Sequence, residues 1–148
     1  VTAFCRIDEK PINLRNQIYH PDQIVVLDAS MIDSVNVSEG LKPGGMILIN
    51  SSRTPEYYQS IFGEDYHLFV VDAAAIAASH HLGSASHPIV NTAILGAFAK
   101  ASQLVGIEAV TRALDKENEA LNKAFSTTDF FEAIGARKEK RAPIFKGK

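Results

Sequence analysis

Three short apolar runs, each ending at a polar residue and separated by crossover-length segments, predict an α/β fold. The expected architecture is a Rossmann-like, mostly parallel open sheet followed by a helical C-terminal half. The runs are Asp22–Asp28 (DQIVVLD), Gly45–Asn50 (GMILIN) and His67–Asp72 (HLFVVD). Their apolar character is continuous rather than alternating, which suits strands covered on both faces of a parallel sheet. Repetition of strand, crossover and strand makes parallel neighbours the expected arrangement.

The elements follow in order. Val1–Ile7 reads as the interior of a strand, with Cys5 as a core residue. Because the sequence opens inside a strand-like run, and with Val rather than Met, further chain is expected upstream. Between the first two runs, Ser30 to Leu41 carries Met31, Val35 and Leu41 at a spacing that allows a short helix or turn behind a Ser or Asp cap. Pro43-Gly44-Gly45 is a turn leading into the second run. Pro55 to Phe62 is weakly helical. Ala73 to Leu82 is Ala-rich and stops at Gly83, a helix followed by no strand of convincing length. From Ile89 to Val105, the residues Ile89, Ala93, Ala97, Phe98, Ala101 and Leu104 fall at helical spacing and predict a long buried helix ended by Gly106. Further helices are expected over Glu108–Phe125, with Glu117, Glu119 and Lys123 on the solvated side, and over Thr128–Ala136. The helical half is expected to pack over the sheet. Residues 1–136 then make one domain, and 137–148 a basic, loose or partner-held tail.

Composition narrows the function classes. At 148 residues with 46% hydrophobic residues the chain suits one core. Fifteen Lys plus Arg against 17 Asp plus Glu leave no broad basic surface for a phosphate backbone, so nucleic acid is not an expected partner. A single cysteine excludes an internal disulfide and a Cys-based zinc cluster, in keeping with a reducing cytoplasm. No apolar run reaches the roughly 20 residues that span a bilayer, and a soluble, cytoplasmic chain is expected.

Ligands of an open α/β sheet bind beyond the carboxyl ends of its strands. That rule selects Asp28-Ala29-Ser30, Asn50-Ser51-Ser52-Arg53 and Asp72-Ala73. On one rim, Asn50, Ser51, Ser52 and Arg53 offer amide, hydroxyl and guanidinium donors to an anion, while Asp28 and Asp72 read first as helix caps. No GxGxxG or Walker-type loop joins a strand to a helix, and Pro43-Gly44-Gly45 lies at the wrong end of its strand to cradle phosphate. His80, His81 and His87 invite comparison with a metal site, but adjacent helical histidines point apart, and no carboxylate stands at ligand spacing. A helix C-terminus favours them as structural residues. No serine sits in a nucleophile elbow. The residues by themselves describe a non-catalytic chain.

Four segments in this order, Val1–Ile12 (VTAFCRIDEKPI), Gln17–Asp22 (QIYHPD), Leu41–Gly45 (LKPGG) and Asn91–Phe98 (NTAILGAF), resemble the gamma subunit of pyruvate and ketoisovalerate:ferredoxin oxidoreductases. The resemblance covers nearly the whole chain. It implies an oxygen-sensitive complex that converts a 2-oxoacid and coenzyme A to acyl-CoA and carbon dioxide, passing two electrons to ferredoxin. It further implies alpha, beta and delta sister subunits that carry thiamine diphosphate and the iron–sulfur clusters, with this chain holding the assembly together and binding coenzyme A. Members of that family begin with a strand and a glycine-rich loop that have no counterpart here, which makes coenzyme A binding an open expectation. If that strand is central, a slot is expected between the first two runs, bordered by Ile24–Leu27 and Met46–Ile49 and seeking a partner strand. The alternative reading is a free-standing Rossmann-type module that binds a nucleotide or coenzyme A without the enzyme.

Overall fold

In the computed structural model the described residues are 2–84 and 87–147, with His87 described by its backbone alone. Three strands, β1 (Gln23–Val26), β2 (Met46–Asn50) and β3 (His67–Val71), form a parallel sheet in the order β1-β2-β3. Gln23 pairs with Met46 and Val26 with Ile49; on the other side of β2, Met46 pairs with His67 and Asn50 with Val71.

The direct register corrects the expected slot: β1 and β2 are neighbours with nothing between them. The cause lies at their amino ends. Lys42 N–H donates to Pro21 O (3.2 Å) and Met46 N–H to Asp22 O (3.1 Å), so the turn that starts β2 is tied to the chain entering β1. Lys42, Pro43, Gly44 and Gly45 form that turn, closed by Gly45 N–H on Lys42 O at 2.8 Å, with Pro in the second position and Gly44 at φ +74° in the third. This is the residue order a type II turn requires. Among the described residues no strand pairs with the outer edge of β1 or of β3.

β2 is buried on both faces, Ile47 and Ile49 at 0% exposure and Leu48 at 1%. Each such side chain contributes on the order of 1.5–3 kcal/mol by leaving water. On one face Ile47, Ile49 and Val26 pack with Leu41 and with Tyr58 of α1 (Pro55–Phe62). A 3-10 turn, Ala29–Asp33, adds Ile32 to that layer, where the sequence allowed a short helix or turn. On the other face Met46 and Leu48 pack with Ala73 of α2 (Ala73–Ser79) and Ile94 of α3 (Asn91–Ser102).

α2 stops three residues before the predicted end. His81 sits at φ +56°, its N–H donates to Ala78 O (3.1 Å), and Leu82 N–H donates to Ala77 O (2.8 Å). That pair of bonds is a Schellman closure with histidine in the position glycine usually fills. Two-residue strands β4 (Gly83–Ser84) and β5 (His87–Pro88) pair antiparallel before α3. α3 is shorter than the predicted Ile89–Val105 because Gln103, at φ +55°, closes it. It is also only half buried: Ile94 and Ala99 are covered while Leu95 is exposed.

Residues 104–148 make a separate compact unit, and within the first unit α2 and α3 pack on the sheet. The 104–148 unit holds α4 (Ile107–Phe125) and α5 (Thr128–Glu139), joined through a ring contact of Phe125 with Phe130 at 4.9 Å. α5 is capped by Thr127 Oγ1, which accepts from Phe130 N–H. No helix among the described residues is long and apolar enough to cross a membrane.

The strand predicted at Val1–Ile7 is corrected. Thr2–Ile7 is irregular, Val1 lies outside the described residues, and Cys5 is exposed rather than in a core. Arg6 explains the difference, because its guanidinium donates to Asn16 O (2.8 Å) and Asn16 Oδ1 (3.1 Å) and folds the segment into a loop.

Candidate functional site

Because the three strands are parallel, their carboxyl ends bring Asp28, Asn50–Arg53 and Asp72 to one rim, as the pattern of the runs predicts. The rim is held by its own side chains. Asn50 Nδ2 donates to Leu27 O (2.9 Å) and Asn50 Oδ1 accepts from Ala73 N–H (3.0 Å), so one amide links the ends of all three strand paths. Ser51 N–H donates to Val71 O at 3.0 Å. Ser51 Oγ accepts from Arg53 N–H (3.1 Å) and from the hydroxyl of the buried Tyr58 (2.8 Å).

Asp28 and Asp72 are caps. Asp28 Oδ1 accepts from Ser30 N–H (3.0 Å), and the Ser30 hydroxyl and N–H together hold its carboxyl below the usual carboxylate range. Asp72 Oδ1 accepts from Ala75 N–H (2.8 Å) at the start of α2. Of the four rim residues selected from the sequence, Asn50 and Ser51 are thus committed to the fold. Ser52 and Arg53 are exposed, and the Arg53 guanidinium lies 4.2 Å from the centre of the Tyr57 ring. Tyr57 packs edge-on against Tyr58 at 5.1 Å, which fixes the platform under Arg53. Sequence reasoning missed these two tyrosines, although a Tyr-Tyr pair in the first turn after the rim loop is a legible signal.

The rim is open, and its charges are mixed: Arg53 is the cation, with the Asp28 and Asp72 carboxylates on the flanking strand ends. Two grooves lie elsewhere, one of them on the N-terminal loop between Phe4, Arg6, Ile12 and Leu14. The other is at the amino ends of the strands beside Asp22, Met46, His67 and Phe69. Among the described residues no three of His, Cys, Asp and Glu are grouped to hold a metal ion. His80 and His81 form the Schellman closure of α2, and the side chain of His87 lies outside the described residues.

The segments used for the resemblance have structural work. Gly40, at φ +76°, lies so close to Tyr19 that a Cβ there would be 2.1 Å from the Tyr19 carbonyl oxygen. Gly40 immediately precedes the Leu41–Gly45 segment, and Lys42 N–H on Pro21 O ties that segment to Gln17–Asp22 directly. A family model described as pyruvate ferredoxin/flavodoxin oxidoreductase matches residues 1–127. The chain belongs to this family. It is similar to the pyruvate/ketoisovalerate oxidoreductases common subunit gamma of Pyrococcus abyssi, 43% identical over 89% of this chain and 75% of that protein. It is likewise similar to the pyruvate synthase subunit PorC of Methanocaldococcus jannaschii, 44% identical over 77% of this chain and 58% of that one. Among solved structures, the pyruvate oxidoreductase subunit PORC of Thermotoga maritima superposes with a TM-score of 0.58 at 30% identity, covering 68% of this chain. The match spans 53% of the Thermotoga chain, so this member of the oxidoreductase family corresponds to about half of that subunit.

Proposed function

We propose that this chain is the gamma subunit of a 2-oxoacid:ferredoxin oxidoreductase of the pyruvate type, an assembly subunit without catalysis of its own. The reaction of that complex is pyruvate, coenzyme A and two oxidised ferredoxins to acetyl-CoA, carbon dioxide, two reduced ferredoxins and the proton of the coenzyme A thiol. The observation that carries the reading is the similarity to common subunit gamma over 89% of this chain. The donor set agrees with it. Decarboxylating a 2-oxoacid leaves an acyl carbanion equivalent that needs an electron sink, and electrons that need clusters held by several thiolates. The family resemblance assigns thiamine diphosphate and the iron–sulfur clusters to the alpha, beta and delta sister subunits, and for the clusters the single cysteine here agrees with that. We place the complex in the cytoplasm, and residues 1–136 as its gamma-type domain with a basic tail at 137–148.

The rim is the proposed anion site of the domain. Asn50 and Ser51 set its shape, while Ser52 and Arg53 are the donors left for a phosphate of coenzyme A. Tyr57 holds the guanidinium flat and limits its rotamers, which lowers the ordering cost of binding.

The test is co-expression with the sister subunits. The tagged chain is expected to bring down partners containing thiamine and iron–sulfur clusters. Pyruvate-dependent dye reduction should require the assembled complex and be absent from this chain alone. In that complex Arg53→Ala is expected to weaken coenzyme A binding by about 1–3 kcal/mol, the scale of a charged hydrogen bond. Unchanged affinity would return Ser52 and Arg53 to the turn, and turnover by the isolated chain would overturn the subunit reading.

A further inference from the structure

The last 12 residues are the most polarised part of the sequence. Residues 137–148 hold six basic side chains against Glu139, a net +5 in a chain whose formal net charge is −2. Everything before them therefore carries −7. Such a segment is expected to be loose, yet as far as Gly147, the last described residue, the structure holds it in place. Beyond α5 the chain turns back along the helix, with Ile144 N–H donating to Glu132 Oε1 at 3.0 Å. Lys146 N–H and Gly147 N–H donate to the two oxygens of Asp129, each at 2.7 Å. Arg141 closes the fold-back through Glu132, Nη2 to Oε2 at 3.0 Å, and through Glu139.

This arrangement decides what the remaining charges can do. Asp129 and Glu132, the acids nearest the strap, are occupied by backbone N–H groups and Arg141. Among the described residues, Arg137, Lys138 and Lys140 then make no ion pair, and Lys146 acts on Glu132 only from beyond ion-pair distance. The helix dipole favours Arg137 and Lys138 at the end of α5, but Lys146 lies beyond its reach. Ile144 and Phe145 stand between these cations at 69% and 61% exposure. A row of cations on a backbone already held in place, with an exposed apolar pair at its centre, offers steering charge beside apolar anchors for a protein partner, with the ordering cost of the backbone already met.

We propose that residues 137–147 are a docking strip for an acidic patch on a sister subunit, with Ile144 and Phe145 entering an apolar groove beside it. The proposal rests on the gamma-subunit reading above. Charge decides the class of partner. A nucleic acid or an anionic membrane extends well past the strip and meets the surplus negative charge of the rest of the chain. A local acidic patch need not, because at physiological salt charges more than about 8 Å apart are screened.

The assembled complex tests it, purified through a tag on a sister subunit and washed at about 0.1 to 1 M salt, a range over which exposed pairs are progressively screened. Each exposed ion pair changes affinity by about two- to fivefold. The triple variant Lys138→Glu, Lys140→Glu, Lys146→Glu is therefore expected to lower retention about ten- to a hundredfold at 0.15 M salt. The corresponding triple Arg variant is expected to behave as wild type, and circular dichroism of both checks that α5 remains folded. Ile144→Ser with Phe145→Ser should weaken retention without changing its salt dependence. Equal retention of the Glu and Arg variants at every salt, with wild type still co-purifying, overturns the docking strip and leaves the subunit reading intact. Tighter binding of the wild-type chain to phosphatidylserine vesicles or heparin than to the sister subunits overturns the strip in the same way. Failure of the wild-type chain to co-purify at all overturns both.

Discussion

Asn50→Ala removes the one side chain that joins all three strand ends, and the structure allows its cost to be worked out. Two hydrogen bonds are lost, one to Leu27 O and one from Ala73 N–H. The two orphaned groups are not equivalent. Leu27 is 50% exposed, so water can take over its carbonyl, and the net loss there is about 0.5–1 kcal/mol. Ala73 is fully buried, and its N–H lies in the first turn of α2, where no helical carbonyl can accept it. Leaving a buried donor unsatisfied costs about 1–3 kcal/mol. The expected total is about 1.5–4 kcal/mol in the stability of the sheet unit. Urea unfolding followed by far-ultraviolet circular dichroism should show it as a lower midpoint with an unchanged slope. Ser52→Ala, two residues along the chain and with an exposed side chain, is the control and should stay within about 0.5 kcal/mol of wild type. A loss below about 0.5 kcal/mol for Asn50→Ala would mean that solvent or a shifted loop replaces the amide, and that Asn50 does not organise the rim.

Gly40→Ala should cost about 3 kcal/mol or more, because a Cβ meets the Tyr19 carbonyl and φ is +76°, whereas Gly44→Ala, with open space and only the φ of +74° to resist it, should cost about 1 kcal/mol. Paired thermal melts compare the two, and equal losses would remove the case for a close Tyr19 contact. Glu132 is held at a pKa of about 2, below its ordinary 4.5, first by the Arg141 side chain and then by the Ile144 N–H. A depressed carboxylate stabilises the folded state above its unfolded pKa and loses that contribution as pH falls through the folded one. The strap should therefore stay bound at neutral pH and release between about pH 4.5 and 2, read from the Ile144 amide resonance, with Glu132→Gln releasing it at pH 7.

Much of the fold was legible because an apolar run leaves a mark that does not depend on context. GMILIN is uninterrupted because β2 has a layer on each side, whereas in DQIVVLD and HLFVVD the residues in register with Leu48, Val25 and Phe69, stay exposed, so the expected cover on both faces holds for β2 alone. Helix interiors were equally plain, and helix ends were not. Gly83 and Gly106 looked like the stops for α2 and α3, yet His81 and Gln103 take the left-handed positions instead. A non-glycine residue enters that region when the bonds around it repay the strain, and such bonds are invisible in a sequence. Val1–Ile7 failed for a related reason. Its apolar residues suit a strand, but a strand needs a neighbour, and the Arg6 clamp on Asn16 settles the loop locally.

The order of the strands shows where pattern gives way to connection. A run of apolar residues marks a strand and does not say which strand lies beside it. The slot expected between β1 and β2 came from placing a further strand at the centre. It was closed by two hydrogen bonds at the strands' amino ends, from Lys42 to Pro21 and from Met46 to Asp22. Those bonds depend on the Lys-Pro-Gly-Gly turn, the same segment that marks the family. The residues that identify this chain are therefore largely those that fix which strands meet, and the rim follows from them. Once β1, β2 and β3 are parallel and adjacent, Asp28, Asn50 and Asp72 must stand side by side, and Asn50 can reach both flanking strand ends. What the sequence could not apportion was duty among neighbours of like chemistry. Ser51 and Ser52 are adjacent hydroxyls with the same donors and acceptors, and the buried Tyr58 hydroxyl engages the first and leaves the second to solvent.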